Sequence, residues 1–172
     1  MALVAGSAGG TTRKEEHVTV QTVPHLNFSG QAREALGFYS SVFGGRALVV
    51  TYGDAGMPRD LPGAERVVFG QVVGADGFGV MAYDVPGRQP GTADGTAART
   101  RREDGTTLTD EPFFLSVRGQ TVEEVRVLWD RLAVGATVIE AYGPSAWAPA
   151  SGMLTDRFGV TWILDVTAPY AG

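Results

Sequence analysis

The 172-residue sequence contains no cysteine, which excludes disulfides, a thiol nucleophile and a cysteine-bound zinc. Histidine is almost as scarce, with only His17 and His25, so an imidazole-rich metal centre has little to draw on. Basic charge is also short: 14 Lys and Arg stand against 19 Asp and Glu, a net charge of -5. Nucleic acid, whose phosphates call for a basic stripe, is therefore not an expected partner. The densest basic run, Arg99-Thr100-Arg101-Arg102, is followed at once by Glu103 and Asp104. Long apolar runs are missing too. Ala2-Leu3-Val4-Ala5 is too short for a signal-peptide core or a membrane span, which predicts a cytoplasmic protein with no membrane partner. There is no G-x-S-x-G nucleophile elbow and no P-loop. The glycine-rich stretch from Gly74 to Gly79 joins two strand patterns and opens no helix, so it reads as a hairpin turn and not as a dinucleotide fingerprint.

What is present is a globular composition, 44% hydrophobic and 19% charged, in a chain long enough to bury a substantial core. Residues 1–19 show no apolar period and read as a flexible leader. Alternation then sets in, with Val23, His25 and Asn27 on one face of a first strand and Leu26 and Phe28 on the other. Ala35, Leu36, Tyr39, Val42 and Phe43 form one helical stripe that stops at Gly44-Gly45. Strand patterns follow at Ala47–Tyr52, Arg66–Val73 and Phe78–Tyr83. Residues 85–110 are rich in Gly, Thr, Pro, Arg and Asp, and read as a long flexible loop, either disordered or a lid over a pocket.

The pattern then starts again. Phe113–Val117 alternate as a strand; Val122, Val125, Leu128 and Leu132 share a helical face; Thr137–Ala141 are extended. Met153-Leu154 and Val160–Val166 flank a turn at Thr155–Gly159, where Asp156 can bond the backbone two residues on and Gly159 tolerates positive φ. At one offset of 89 residues, Gly30-Gln31 matches Gly119-Gln120, Glu34 matches Glu123, Leu36 matches Val125 and Phe43 matches Leu132. This reads as an internal duplication of a βαβββ unit, with modules at 20–84 and 111–168 and a short tail at 169–172.

A duplicated βαβββ unit resembles the vicinal oxygen chelate superfamily of glyoxalases, bleomycin-resistance proteins and extradiol dioxygenases, and within it the PhnB-like group, sometimes labelled as related to 3-demethylubiquinone methyltransferases. The residues that carry the resemblance are Phe28-Ser29-Gly30, Glu34-Ala35-Leu36, Phe38-Tyr39, Tyr52-Gly53-Asp54, Met81–Asp84 and Asp156–Trp162. It implies an α+β fold whose two modules form curved mixed sheets around a cavity, and a homodimer. The methyltransferase label draws no support from these residues, because no glycine-rich turn leads from a strand into a helix.

Members of this superfamily usually hold one divalent metal through His, Glu or Gln side chains. The corresponding positions fall here on Val23 or His25, near Val80–Ala82, near Pro112 and on Ile163, so at most His25 survives and no cofactor is expected. A site could be rebuilt only from His25 with Asp54, Asp84 or Glu111. Asp54 and Asp84, each following a strand, read first as turn caps. His25 itself could be a hydrogen-bonded strand histidine or a metal-free acid/base catalyst. The cavity is expected to be lined by His25, Asn27, Tyr52, Phe69, Met81 and Tyr83 from the first module and by Phe114, Trp147 and Trp162 from the second, although both tryptophans read first as core residues. The leading expectation is a metal-independent binder of a small, partly aromatic molecule; the alternative is an enzyme, either a lyase, isomerase or dioxygenase with altered ligands or an acid/base catalyst using His25.

Overall fold

A computed structural model describes residues 20–74, 76–88 and 100–168. The predicted leader, with His17, the tail and residues 89–99 lie outside them. The first module runs β1 (His25–Phe28), α1 (Ala32–Phe43), β2 (Arg46–Thr51), β3 (Val67–Val73) and β4 (Gly79–Asp84). After a hairpin of β5 (Thr100–Glu103) and β6 (Thr106–Thr109), the second runs β7 (Leu115–Gly119), α2 (Val122–Leu132), β8 (Thr137–Gly143), β9 (Ser151–Thr155) and β10 (Thr161–Val166). The strand orders are β1-β4-β3-β2 and β7-β10-β9-β8, each with one parallel pair, β1 with β4 and β7 with β10. The two sheets thus repeat one topology, and the fold is α+β in curved mixed sheets. The hairpin at 100–109 occupies part of the segment expected to be a flexible loop; Thr100, Thr107 and Thr109 supply β-branched residues suited to a strand pair.

Each sheet packs its helix on one face. Leu26 and Phe28 of β1, Val72 of β3 and Val80 and Ala82 of β4 are buried with Ala35, Leu36, Tyr39 and Val42 of α1. Gly70 faces the same way, because a Cβ there would strike Leu36. In the second module Leu154, Trp162 and Leu164 are buried with Val125, Trp129 and Leu132 of α2. The buried cluster is continuous between modules. Phe158, in the β9–β10 turn, makes ring contacts with Phe28, Phe38 and Tyr39, and the Arg131 guanidinium of α2 donates to the Val42 carbonyl of α1 at 3.2 Å.

The two helices begin differently. Thr121 caps α2 with a reciprocal capping box, its hydroxyl accepting from the Glu124 N–H while the Glu124 carboxylate accepts from the Thr121 N–H. Gln31, at the start of α1, makes no side-chain cap. There the buried Asp84 of β4 serves instead, with Oδ1 accepting from the Gly30 and Ala32 N–H groups at 2.7 and 3.0 Å and Oδ2 from Val67 N–H at 2.9 Å.

Candidate functional site

Strand register fixes which side chains stand together on the face of the first sheet away from α1. His25 lies opposite Met81, and Asn27 opposite Tyr83. Met81 is opposite Gln71, and Phe69 opposite Val50. His25 and Asn27 are exposed, whereas their neighbours Leu26 and Phe28 are buried. This is the alternation of a sheet with one packed face. The predicted first-module residues His25, Asn27, Phe69, Met81 and Tyr83 therefore share one face, with the His25 and Tyr83 rings 5.3 Å apart. Tyr52 follows β2, and its hydroxyl donates to the Asp84 carbonyl at 2.9 Å, crossing the end of β3.

A groove of about 250 Å³ opens beside His25 and Asn27, bounded by Glu111 and Phe113 ahead of β7, by Phe158, Gly159 and Val160 of the β9–β10 turn and by Thr161 of β10. It joins the two modules. Phe113 and Phe158 belong to this groove but were not anticipated, and Phe114, which was, is not one of its walls. Their only sequence signal was proximity to a strand end and a turn, which does not say which way a side chain points.

The two tryptophans, read either as core residues or as cavity wall, lie in different surroundings. Trp162 is a core residue, 1% exposed, stacked on Phe43 with centroids 5.3 Å apart and tilted against Tyr39 at 5.4 Å. Its indole N–H donates to Asp156 at 2.8 Å. The cause is strand parity: Trp162 pairs with Leu115 and Leu154 and shares the helix-facing side with Leu164. Trp147 lies in the β8–β9 loop and is 57% exposed.

Asp156 organises the turn. Its Oδ1 accepts from the Phe158 and Val160 N–H groups at 2.8 and 3.0 Å, and its Oδ2 from the Tyr39 hydroxyl at 2.7 Å as well as from Trp162. Burial first, and the adjacent Asp156 charge second, push the Tyr39 phenol well above its ordinary range. Asp156 thereby locks α1 of one module to the final hairpin of the other.

Two of the carboxylates from which a metal site could be rebuilt, Asp84 and Asp54, are committed elsewhere. Asp84 is 1% exposed and caps α1. Asp54 accepts from Thr51 N–H and Arg59, and hydrogen bonds from Thr51 lead in holding its carboxyl below the ordinary range. Glu111 shares the groove with His25. Among the described residues no three of His, Asp and Glu converge, and Met81 is the strand neighbour of His25. This donor set does not fit the three protein ligands that a catalytic divalent metal needs.

Residues 22–164 match the model of the Glyoxalase/Bleomycin resistance protein/Dioxygenase superfamily, and the chain belongs to that family. Protein YjdN of Escherichia coli K12 is 26% identical over 145 residues, covering 83% of this chain and 92% of its own. Protein PA1353 from Pseudomonas aeruginosa superposes with a TM-score of 0.66 at 28% identity, covering 86% of this chain and 98% of its own. A Bacillus cereus PhnB protein, described as a putative 3-demethylubiquinone-9 3-methyltransferase, does so at 0.63 and 22% identity over 86% and 100% of the two chains, and shares the fold. No helix among the described residues is long and apolar enough to cross a membrane.

Proposed function

We propose that this chain binds a small, partly aromatic molecule on the face of the first sheet that α1 leaves uncovered, without a divalent metal, and that a second copy of the chain closes the cavity. The observation that carries the reading is the strip His25, Asn27, Met81 and Tyr83, set side by side by the β1–β4 register and flanked by the His25 groove with its Phe113 and Phe158 walls. Apolar and aromatic surface with a few polar groups suits such a ligand. The same face extends to Leu48 and Val73, which are 50% and 59% exposed. Apolar surface of this kind is what a partner chain would cover.

A thermal-shift screen of aromatic compounds tests the reading, each hit being titrated against wild type, His25→Ala and Asn27→Ala, with the mass in solution measured alongside. Binding weakened in both variants, by a dimer, is the expected result. Hits that bind both variants as tightly as wild type, or a monomer at micromolar concentration, would refute it. A second reading is favoured by His25 and Glu111 lining one groove: two proton-transfer groups there suit a metal-free acid/base enzyme. A pH-dependent activity abolished in His25→Ala would put that reading first.

A further inference from the structure

Between β2 and β3, residues 52–66 form a compact loop held by its own backbone. Tyr52 N–H donates to the Arg66 carbonyl at 2.9 Å and Gly53 N–H to the Ala64 carbonyl at 2.8 Å, while Met57 N–H returns to the Tyr52 carbonyl at 2.9 Å. Loops of this kind, closed on themselves, are frequently functional. With the turn after β4, this loop borders a pocket of about 390 Å³ walled by Tyr52, Met57, Pro62, Glu65, Arg66 and Pro86. The pocket shares no lining residue with the His25 groove.

Its wall carries one cation, Arg66, and one carboxylate, Glu65, which form no ion pair with each other. The Arg66 guanidinium donates through Nη1 to the Arg88 carbonyl at 2.8 Å, which fixes its position. Among the described residues it has no carboxylate partner, unlike Arg59, Arg101, Arg102 and Arg118, each of which has one. The buried Asp84 carboxylate nearby is spent on three backbone N–H groups, and Glu65 is exposed to solvent. The remaining N–H groups of Arg66 thus form a fork suited to a carboxylate. Tyr52, anchored through its hydroxyl to the Asp84 carbonyl, adds a fixed aromatic surface, and Met57 and the two prolines add an apolar rim.

We infer that this pocket is a binding site, separate from the His25 groove, for a small carboxylate carried on a flat apolar body, with Arg66 holding the carboxylate and Tyr52, Met57 and Pro86 holding the body. The test is an amide NMR titration of the full chain with benzoate, and with benzamide as its uncharged counterpart. Benzoate is expected to shift the amides of Gly63, Arg66 and Gly87 while leaving those of His25, Asn27 and Thr161 unmoved. Benzamide should bind more weakly, and Arg66→Gln should weaken benzoate by about tenfold or more, the scale of one lost charge-assisted hydrogen-bond pair. Arg66→Lys, which keeps the charge without the fork, should fall between. The inference is overturned by no shifts in the loop amides at millimolar benzoate, or by benzoate binding in Arg66→Gln within twofold of wild type. Shifts confined to the His25 groove would overturn it as well, while supporting the ligand site proposed there.

Discussion

Replacing Asp156 with alanine tests whether the two modules are joined as described. The carboxylate is 4% exposed and accepts four hydrogen bonds, two from side chains and two from its own turn. Without it, the buried Tyr39 hydroxyl and Trp162 indole N–H lose their acceptor, and each buried donor left unpaired costs about 1–3 kcal/mol. The Phe158 and Val160 N–H groups lie beside partly exposed residues and can turn to water. The expected loss is therefore about 3–5 kcal/mol, or roughly 10 °C in melting temperature for a chain of this size. Tyr39→Phe removes only one of the four donors and should cost about 1.5–2 kcal/mol.

The double variant is more diagnostic than either single one. Tyr39→Phe in the Asp156→Ala background removes a hydroxyl that already lacks its acceptor, so the double variant should be more stable than the sum of the two losses predicts, by about 1–2 kcal/mol. Urea unfolding followed by tryptophan fluorescence measures all three, because Trp162 sits on Asp156. Additive losses within about 0.5 kcal/mol, or a loss below about 1 kcal/mol for Asp156→Ala, would refute the clamp.

The raised Tyr39 pKa makes a pH prediction whose sign follows from proton binding. The unfolded chain releases the phenol proton near the ordinary value of 10.0 while the folded chain keeps it, so stability is full below that pH and declines above it, by up to about 1.4 kcal/mol per pH unit. Tyr39→Phe should unfold with a shallower pH dependence above pH 10; identical slopes would contradict the assignment. Gly152→Ala places a Cβ 2.7 Å from the Trp129 ring and 2.8 Å from the Tyr142 Cα, and should cost about 1–3 kcal/mol through overpacking; a neutral effect in chemical unfolding would show that α2 can retreat from β9. Asp84→Ala should lose about 3 kcal/mol or more, because three buried or half-buried N–H groups depend on it, against about 1 kcal/mol for Thr121→Ala. Equal unfolding midpoints for these two variants would show that Asp84 acts only as a local cap.

The helices and most strands were legible because their apolar period is strong: Ala35 to Phe43 and Val122 to Leu132 each present one stripe, and Gly44, with φ 74°, ends α1. The Asp156 turn was legible because Asp-x-x-Gly carries its own chemistry, and the Phe158 N–H does bond the Asp156 carboxylate two residues back. What the sequence did not reveal was long-range. Nothing near Tyr39 announces that its hydroxyl meets a carboxylate 117 positions away, and the turn-capping reading of Asp84 did not extend to the start of a helix 52 positions earlier. The choice between core and cavity for Trp162 was open for a related reason. Alternation along β10 puts Trp162 on one face with Leu164, but parity alone does not say which face meets the helix. Leu164 and Leu154, both buried, settle that.

The duplicated topology leaves an asymmetry that bears on where a ligand sits. On the second sheet, Met153 lies opposite Ile163 and Ser151 opposite Asp165, on the side away from α2, yet Ser151 and Met153 are each 4% exposed. On β3, the equivalent strand of the first sheet, Phe69 and Gln71 are only half-buried and Val73 is 59% exposed. The β5–β6 insertion accounts for part of the difference, since Arg102 of β5 pairs with Glu140 at 3.1 Å and Glu140 stands opposite Met153 on β8. Among the described residues, one copy of the unit thus has its second face partly closed by the chain itself, and the other does not. Burial of apolar surface is worth about 25 cal/mol per Å², so the uncovered face of the first sheet is where an incoming aromatic molecule or partner chain has most to gain.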